Sequence, residues 1–246
     1  MPDLPSHTIF PLGDSALTID FGNVIDKQLN QKVLLLFQHL RAHPIPGMIE
    51  SLPAYNSLTI YYDAFQLHKQ FPENKTVYDW MAGQVEERLQ GLPQDTVLST
   101  RNIEIPVCYE GEYAPDLTAF ATLKKISVEE LVHIHTSATY RVYMLGFLPG
   151  FAYMGEVDDR IIAPRKQQPG KVEAGSVGIA GKQTGIYPLS SPGGWQIIGR
   201  TPLKLFNPHP DIQMSEAGSL ENSLCLLQPG DEVRFYSISQ DEFKDH

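Results

Sequence analysis

Between Gly146 and Phe206 the chain gathers polar groups among aromatic and apolar residues: Arg165, Gln183, Tyr187, Ser191 and Arg200. An arginine presents a planar fork that pairs with a carboxylate, and a primary amide and a hydroxyl both donate to a carbonyl oxygen. Such a set grips a carboxylate or polarises an amide without a covalent nucleophile. Arg165 follows a proline in Ala163-Pro164-Arg165, which stiffens its approach. Gln183 precedes an expected turn at Thr184-Gly185. Ser191-Pro192-Gly193-Gly194 reads as a tight loop with free N–H groups at both glycines. Arg165, Gln183 and Ser191 are the candidate catalytic residues. Tyr187, Gly193, Gly194, Trp195, Lys182, His135 and Arg200 are the candidate substrate-binding residues.

Other constellations are weaker. The nucleophile elbow Gly-x-Ser-x-Gly is absent; Ser176 in Ala174-Gly175-Ser176-Val177-Gly178 is off the pattern by one and leads into a strand. His133 and His135 are two apart, which puts them on one face of a strand but on different faces of a helix. With Asp158-Asp159 further along, they give no metal-ligand set, and His135 is read as a polar member of a site without metal. The run from Gly178 to Gly185 lacks the spacing and the following helix of a phosphate loop. Its backbone N–H groups, with Lys182 beside them, still suit an anion nest. Phe147, Pro149, Phe151 and Tyr153 alternate, and with Tyr187, Trp195 and Phe206 they offer enough aromatic area to line a pocket. Burial in a barrel core is the better reading for at least half of them.

These residues need a rigid frame. Glycine and proline recur through the stretch, so a helix is excluded, and the hydrophobes between them exclude a disordered linker. Short β-strands joined by tight turns remain. Upstream, residues 8–22 predict two strands around Gly13-Asp14, and residues 25–42 a helix with Leu29, Val33, Leu36, Phe37 and Leu40 on one face. Residues 47–62 predict two more strands with a turn near Pro53-Ala54, and residues 74–91 a second helix. This order predicts a small α+β sandwich with both helices on one sheet face. Residues 92–102 are turn-rich and polar, and a domain boundary is placed there, giving domains 1–98 and 99–246. The second domain opens with a strand at 102–109, a loop, and a helix at about 116–123. A further helix starts at the capping pattern of Ser127. From Tyr140 to residue 238 the chain reads as β, which predicts a closed or half-closed barrel, and the tail after it as frayed.

Composition sets the outer limits. The chain has 246 residues, 42% of them hydrophobic, and a formal net charge of −10, which argues against a nucleic-acid surface as the main role. Its two cysteines, Cys108 and Cys225, lie far apart among apolar neighbours and are read as buried reduced thiols. No secretory leader and no apolar run of membrane-spanning length is visible, so a cytoplasmic protein without a membrane partner is expected.

The stretches GFLPGFAYMG, APR and AGSVGIAGKQTGIYPLSSPGGWQIIGRTPLKLF resemble the carboxyltransferase subdomain C/D family, also called allophanate hydrolase subunit 1. Within it they are most similar to the branch of B-type 5-oxoprolinase subunits, the Kip-inhibitor type. PLGDSALTIDFG, PAYNSLTIYYD and IPVCYEGEYAPDL carry the resemblance through the rest of the chain. Glu110 and Ala114 depart from a common CYGGEFGPDL pattern, and Glu173 stands where the family often has proline. The resemblance implies a cyclophilin-like β-barrel as the second domain. It implies ATP-dependent opening of 5-oxoproline to glutamate, with ATP as co-substrate. It also implies two separate partners in a 5-oxoprolinase complex: a C-type chain, of the allophanate hydrolase subunit 2 (KipA) kind, and an A-type chain. Arg165 would then pair with the substrate carboxylate or a phosphate. Gln183, Ser191, Gly193 and Gly194 would hold the carbonyl, Tyr187 and Trp195 would wall the pocket, and Lys182 would neutralise phosphate. Alternatives are inhibition of a sensor histidine kinase and a role in a urea carboxylase or allophanate hydrolase system.

Overall fold

The computed structural model describes residues 7–70, 76–92, 98–209 and 224–246. The chain divides into two compact units, Met1–Ser99 and Thr100–His246. The expected boundary stretch lies partly outside the described residues, as do the first six residues and part of the expected β region before residue 224.

In the first unit, alternating hydrophobes build an antiparallel sheet in the order β1-β2-β4-β3, from β1 (Thr8–Pro11), β2 (Ala16–Asp20), β3 (Met48–Pro53) and β4 (Ser57–Tyr62). Leu17 pairs with Ile60 and Ile19 with Leu58, so these four share one face. That face packs with α1 (Lys27–Ala42) through Val33, Leu36 and Leu40, and with α3 (Val77–Gln90) through Met81, Val85 and Leu89. The Asp26 carboxylate caps α1 by accepting from the N–H groups of Gln28 and Leu29, and Thr76 with Asp79 forms a capping box on α3.

A third helix, α2 (Ala64–Gln70), escapes the sequence reading because it buries only Leu67 and so shows no periodicity. The Leu67 side chain lies under Gly47, where φ is +78° and a Cβ would come within 2.6 Å of it.

In the second unit, seven described strands close a barrel in the order β10-β7-β6-β13-β5-β12-β9. They are β5 (Asn102–Cys108), β6 (Thr139–Leu145), β7 (Ala152–Gly155), β9 (Ser176–Ala180), β10 (Gln183–Ile186), β12 (Gln196–Arg200) and β13 (Glu232–Ile238). A small pair, β8 (Gly170–Val172) and β11 (Ser191–Gly193), lies outside that closure. Only β13 and β5 run parallel; the other barrel pairs are antiparallel. Every second residue turns inward, including Ile105, Val107, Val142, Met154, Ile179 and Ile186. Helices α4 (Leu117–Lys124) and α5 (Val128–Ser137) add Leu117, Phe120, Leu131 and Ile134 to this core. Ser127 caps α5 by accepting from the Glu130 N–H at 3.1 Å.

The tail departs from expectation. Gln240–Asp245 forms a helix, α6, because Ser239 and Glu242 make a capping box and Phe243 stacks on Tyr113 at 4.2 Å. Cys108 is buried, with its thiol pushed up in pKa chiefly by that burial, but Cys225 is half-buried; neither forms a disulfide. Among the described residues no helix is long and apolar enough to cross a membrane.

Candidate functional site

The outer face of β7, β10, β9 and β12 carries a second aromatic layer. Ala152 and Met154 point into the barrel, so Phe151 and Tyr153 point out; Thr184 and Ile186 point in, so Gln183 and Gly185 share the outer face. Two strand glycines let an indole lie against this face. A Cβ at Gly178 would sit 3.0 Å from the Trp195 Cβ. One at Gly185 would meet the Trp195 ring at 3.0 Å and Phe151 at 3.1 Å.

Trp195 is therefore 4% exposed and Tyr187 1%, with Phe151 between them at centroid distances of 5.5 and 5.1 Å. Tyr187 and Trp195, expected to wall a pocket, are buried within this layer rather than exposed on it. The accessible aromatics are Tyr153, half-buried at 5.9 Å from Trp195, and Phe147, 63% exposed at 5.7 Å from Phe151. Phe147 holds φ at +69°, a left-handed conformation uncommon for a side chain of its size, in the tight loop between β6 and β7.

Ser191–Gly193 is a strand, not a loop. It pairs with β8, with Gly193 opposite Gly170, so the stretch meets a ladder rather than offering a free nest. Gly193 has a different use. A Cβ there would fall 2.5 Å from the Tyr187 hydroxyl oxygen, so only glycine leaves room for that ring. The phenol is held above its ordinary pKa by burial, an effect opposed by a backbone hydrogen bond from Trp195 and by the charge of Arg165. The Ser191 hydroxyl turns to the Pro192 carbonyl at 3.3 Å.

The run around Lys182 is a hairpin. Gln183 pairs with Ala180, so the two-residue turn is Gly181-Lys182, and Thr184-Gly185 lies inside β10 rather than forming the expected turn. The Gly181 N–H donates to the Ala163 carbonyl at 2.5 Å. Lys182 is 52% exposed beside Asp159, 3.5 Å away. With the turn's N–H committed and a carboxylate beside the lysine, the residues present do not fit a triphosphate cradle.

Arg165 is exposed, and no carboxylate partners it among the described residues. Its charge is felt by both the Tyr153 and the Tyr187 phenols, in each case opposing the upward push of burial. Gly194 lies beside it: a Cβ there would be 3.9 Å from the Arg165 Cβ. Arg165, Gln183, Tyr187, Gly193, Gly194 and Trp195 thus come together around one outer face, with Lys182 at its edge.

Arg200 does not join them. It lies at the far end of β12 from Trp195, and its Nε donates to the Ala174 carbonyl at 2.8 Å.

His135 does not join them either. It lies wholly buried, on the inner side of the barrel wall. Thr184 donates its hydroxyl to the Gly178 carbonyl at 3.1 Å, so it accepts from His135 Nε2 at 3.0 Å. The Nδ1 then accepts from the Tyr109 hydroxyl at 2.8 Å. Both ring nitrogens are used internally, Phe235 stacks on the ring at 4.6 Å, and burial lowers its pKa to about 3. It is a neutral core residue and not a substrate ligand.

Tyr153 belongs to the face, yet the sequence marked it only as an aromatic. Asp116 and Lys166, which tie down the Arg165 loop, gave no signal in spacing. Among the described residues no three His, Cys, Asp or Glu side chains gather as a metal site.

A profile of the carboxyltransferase domain, subdomain C and D, matches residues 7–214. The chain belongs to that family. Among relatives of this carboxyltransferase-domain chain, the 5-oxoprolinase B subunit of Bacillus subtilis (strain 168) is 45% identical over 96% of the chain and 95% of its own length. The crystal structure of TTHA0988 is 36% identical, with a TM-score of 0.73. The chain is covered to 91% in that match but spans only 40% of that longer polypeptide. The Kluyveromyces lactis urea carboxylase structure, 19% identical, shares the fold at a TM-score of 0.74 over the whole chain and 23% of its own.

Proposed function

We propose that this chain is the B-type subunit of an ATP-dependent 5-oxoprolinase and that its outer barrel face binds the anionic lactam. The observation that carries the reading is end-to-end identity of 45% with the 5-oxoprolinase B subunit of Bacillus subtilis (strain 168). The face supplies what such a substrate needs. Arg165 pairs with the carboxylate, Tyr153 and the Trp195 layer pack against the ring, and the Gln183 amide faces the lactam carbonyl.

Ser176 is buried, the Ser191 hydroxyl is turned to the backbone, and the Cys108 thiol is buried with its pKa raised. A lactam is a poor electrophile, so its opening needs activation that these residues do not supply. ATP would provide it by transferring its terminal phosphoryl group to the carbonyl oxygen with release of ADP, and the Gly181-Lys182 turn does not fit a triphosphate. The rest of the centre is therefore assigned to partners of the C and A types. An exposed Phe147 at the rim, and a relative in which this region is continued by a longer polypeptide, support that assignment.

The test is reconstitution. The purified chain alone should release no glutamate from 5-oxoproline and ATP, and addition of both partner types should restore release. Robust turnover by the isolated chain would sink the shared-centre reading.

A further inference from the structure

Asp116 occupies the N-cap of α4, yet its carboxylate makes no capping bond to that helix. An N-cap aspartate ordinarily accepts from the helix's own second or third N–H. Here Oδ2 instead accepts from the Ile197 N–H at 2.7 Å and from the Lys166 ammonium. The Asp116 N–H completes the exchange by donating to the Ile197 carbonyl at 3.0 Å.

Lys166 is the residue after Arg165. Its own N–H donates to the Gly194 carbonyl at 2.6 Å, and on the other side of Arg165 the Pro164 carbonyl accepts from the Gln196 side chain at 3.2 Å. The backbone of Arg165 is thus fixed before and after, while its side chain finds no carboxylate among the described residues. Both members of the Asp116–Lys166 pair are largely shielded, at 22% and 28% side-chain exposure, so the pair is less screened than a surface bridge.

We infer that Asp116, acting through Lys166, is a positioning residue that holds the Arg165 loop against Gly194 and Gln196 and so sets where the guanidinium stands. Its kinetic consequence rests on the reading of this face as the 5-oxoproline site. Asp116→Asn preserves shape and an oxygen for the Ile197 N–H but places an uncharged amide against Lys166. Lys166→Met removes the other partner and stands in if Asp116→Asn does not fold.

Two measurements test this. In the isolated chain, amide hydrogen exchange over residues 163–168 should quicken about tenfold in either variant, with exchange in the barrel strands other than at Ile197 unchanged. In the reconstituted complex, Asp116→Asn should raise KM for 5-oxoproline about fivefold to tenfold with kcat within about twofold, and should add nothing to Arg165→Ala. Unchanged exchange over 163–168 overturns the inference, as does a KM penalty of equal size with and without Arg165. Quickened exchange together with an Arg165→Ala complex of normal KM supports the positioning role and instead refutes the site reading.

Discussion

Arg165 and His135 show how one residue's surroundings decide its task. Arg165 is charged, exposed and unopposed by a carboxylate among the described residues. Arg165→Ala in the reconstituted complex should therefore raise KM for 5-oxoproline by at least about tenfold at unchanged thermal stability. Arg165→Lys should recover only part of it, because a point charge does not reproduce the guanidinium fork. A steady-state series over substrate concentration reads both effects.

His135 is the opposite case, a histidine kept neutral by burial, with a folded pKa of about 3 against an ordinary 6.5. Because the unfolded chain binds that proton first, stability is full above pH 6.5 and is lost as pH falls toward 3. By linkage, the loss between about pH 7.5 and about pH 5 from this group alone is about 2 kcal/mol. Urea denaturation at both pH values should show that increment in the native chain. It should be missing in His135→Gln, which is itself destabilised by about 1–3 kcal/mol as Tyr109 and Thr184 lose a partner.

At the scale of elements, the strand glycines are the sharpest instruments. Gly185 gives up side-chain contacts so that the Trp195 and Phe151 rings can lie on the sheet, with the Ala152 carbonyl 2.9 Å from where a Cβ would stand. Gly185→Ala should cost about 1–3 kcal/mol through overpacking, read as a lowered Tm and a changed Trp195 environment in near-ultraviolet circular dichroism. The terminal helix α6 depends on its cap. Ser239→Ala removes the hydroxyl that accepts from the Glu242 N–H at 3.2 Å and should cost about 1 kcal/mol, freeing Phe243 from Tyr113. Loss of the Tyr113–Phe243 contact should show as increased exchange over residues 240–245, with the barrel amides still protected.

On the scale of the whole molecule, the core clusters separate by unit. One draws on residues 17–89, and the other two on residues from 105 onward. We propose that residues 1–98 and 99–246 unfold as independent cooperative steps. Leu58→Ala, in the first core, should lower only one of two calorimetric transitions, by about 2–5 kcal/mol. A single transition shifted as a whole would refute independence. Much of this architecture is legible in the chain. The Leu29–Leu40 stripe, the Leu58, Ile60 and Tyr62 alternation and the Ser127 cap each report a local period or a local bond, and local rules place their elements. The resemblance located the stretch that carries the face, and Arg165, Gln183, Tyr187, Gly193, Gly194 and Trp195 do converge there. What sequence could not supply was direction. Gln183 and Thr184 are neighbours, yet one faces outward and the other bonds His135 inside, because hairpin register set by the Gly181-Lys182 turn decides which side each takes. His135 and Arg200 are polar residues in suggestive company, and only barrel closure turned one into the core and set the other at the far end of β12. Asp116 gave no spacing signal at all: its partners, Ile197 and Lys166, are distant in sequence and meet it only once β12 and the Arg165 loop are in place. Sequence determined the elements and the stock of chemical groups; the closed barrel decided which of those groups share a surface, because sidedness follows from long-range strand pairing rather than from local preference.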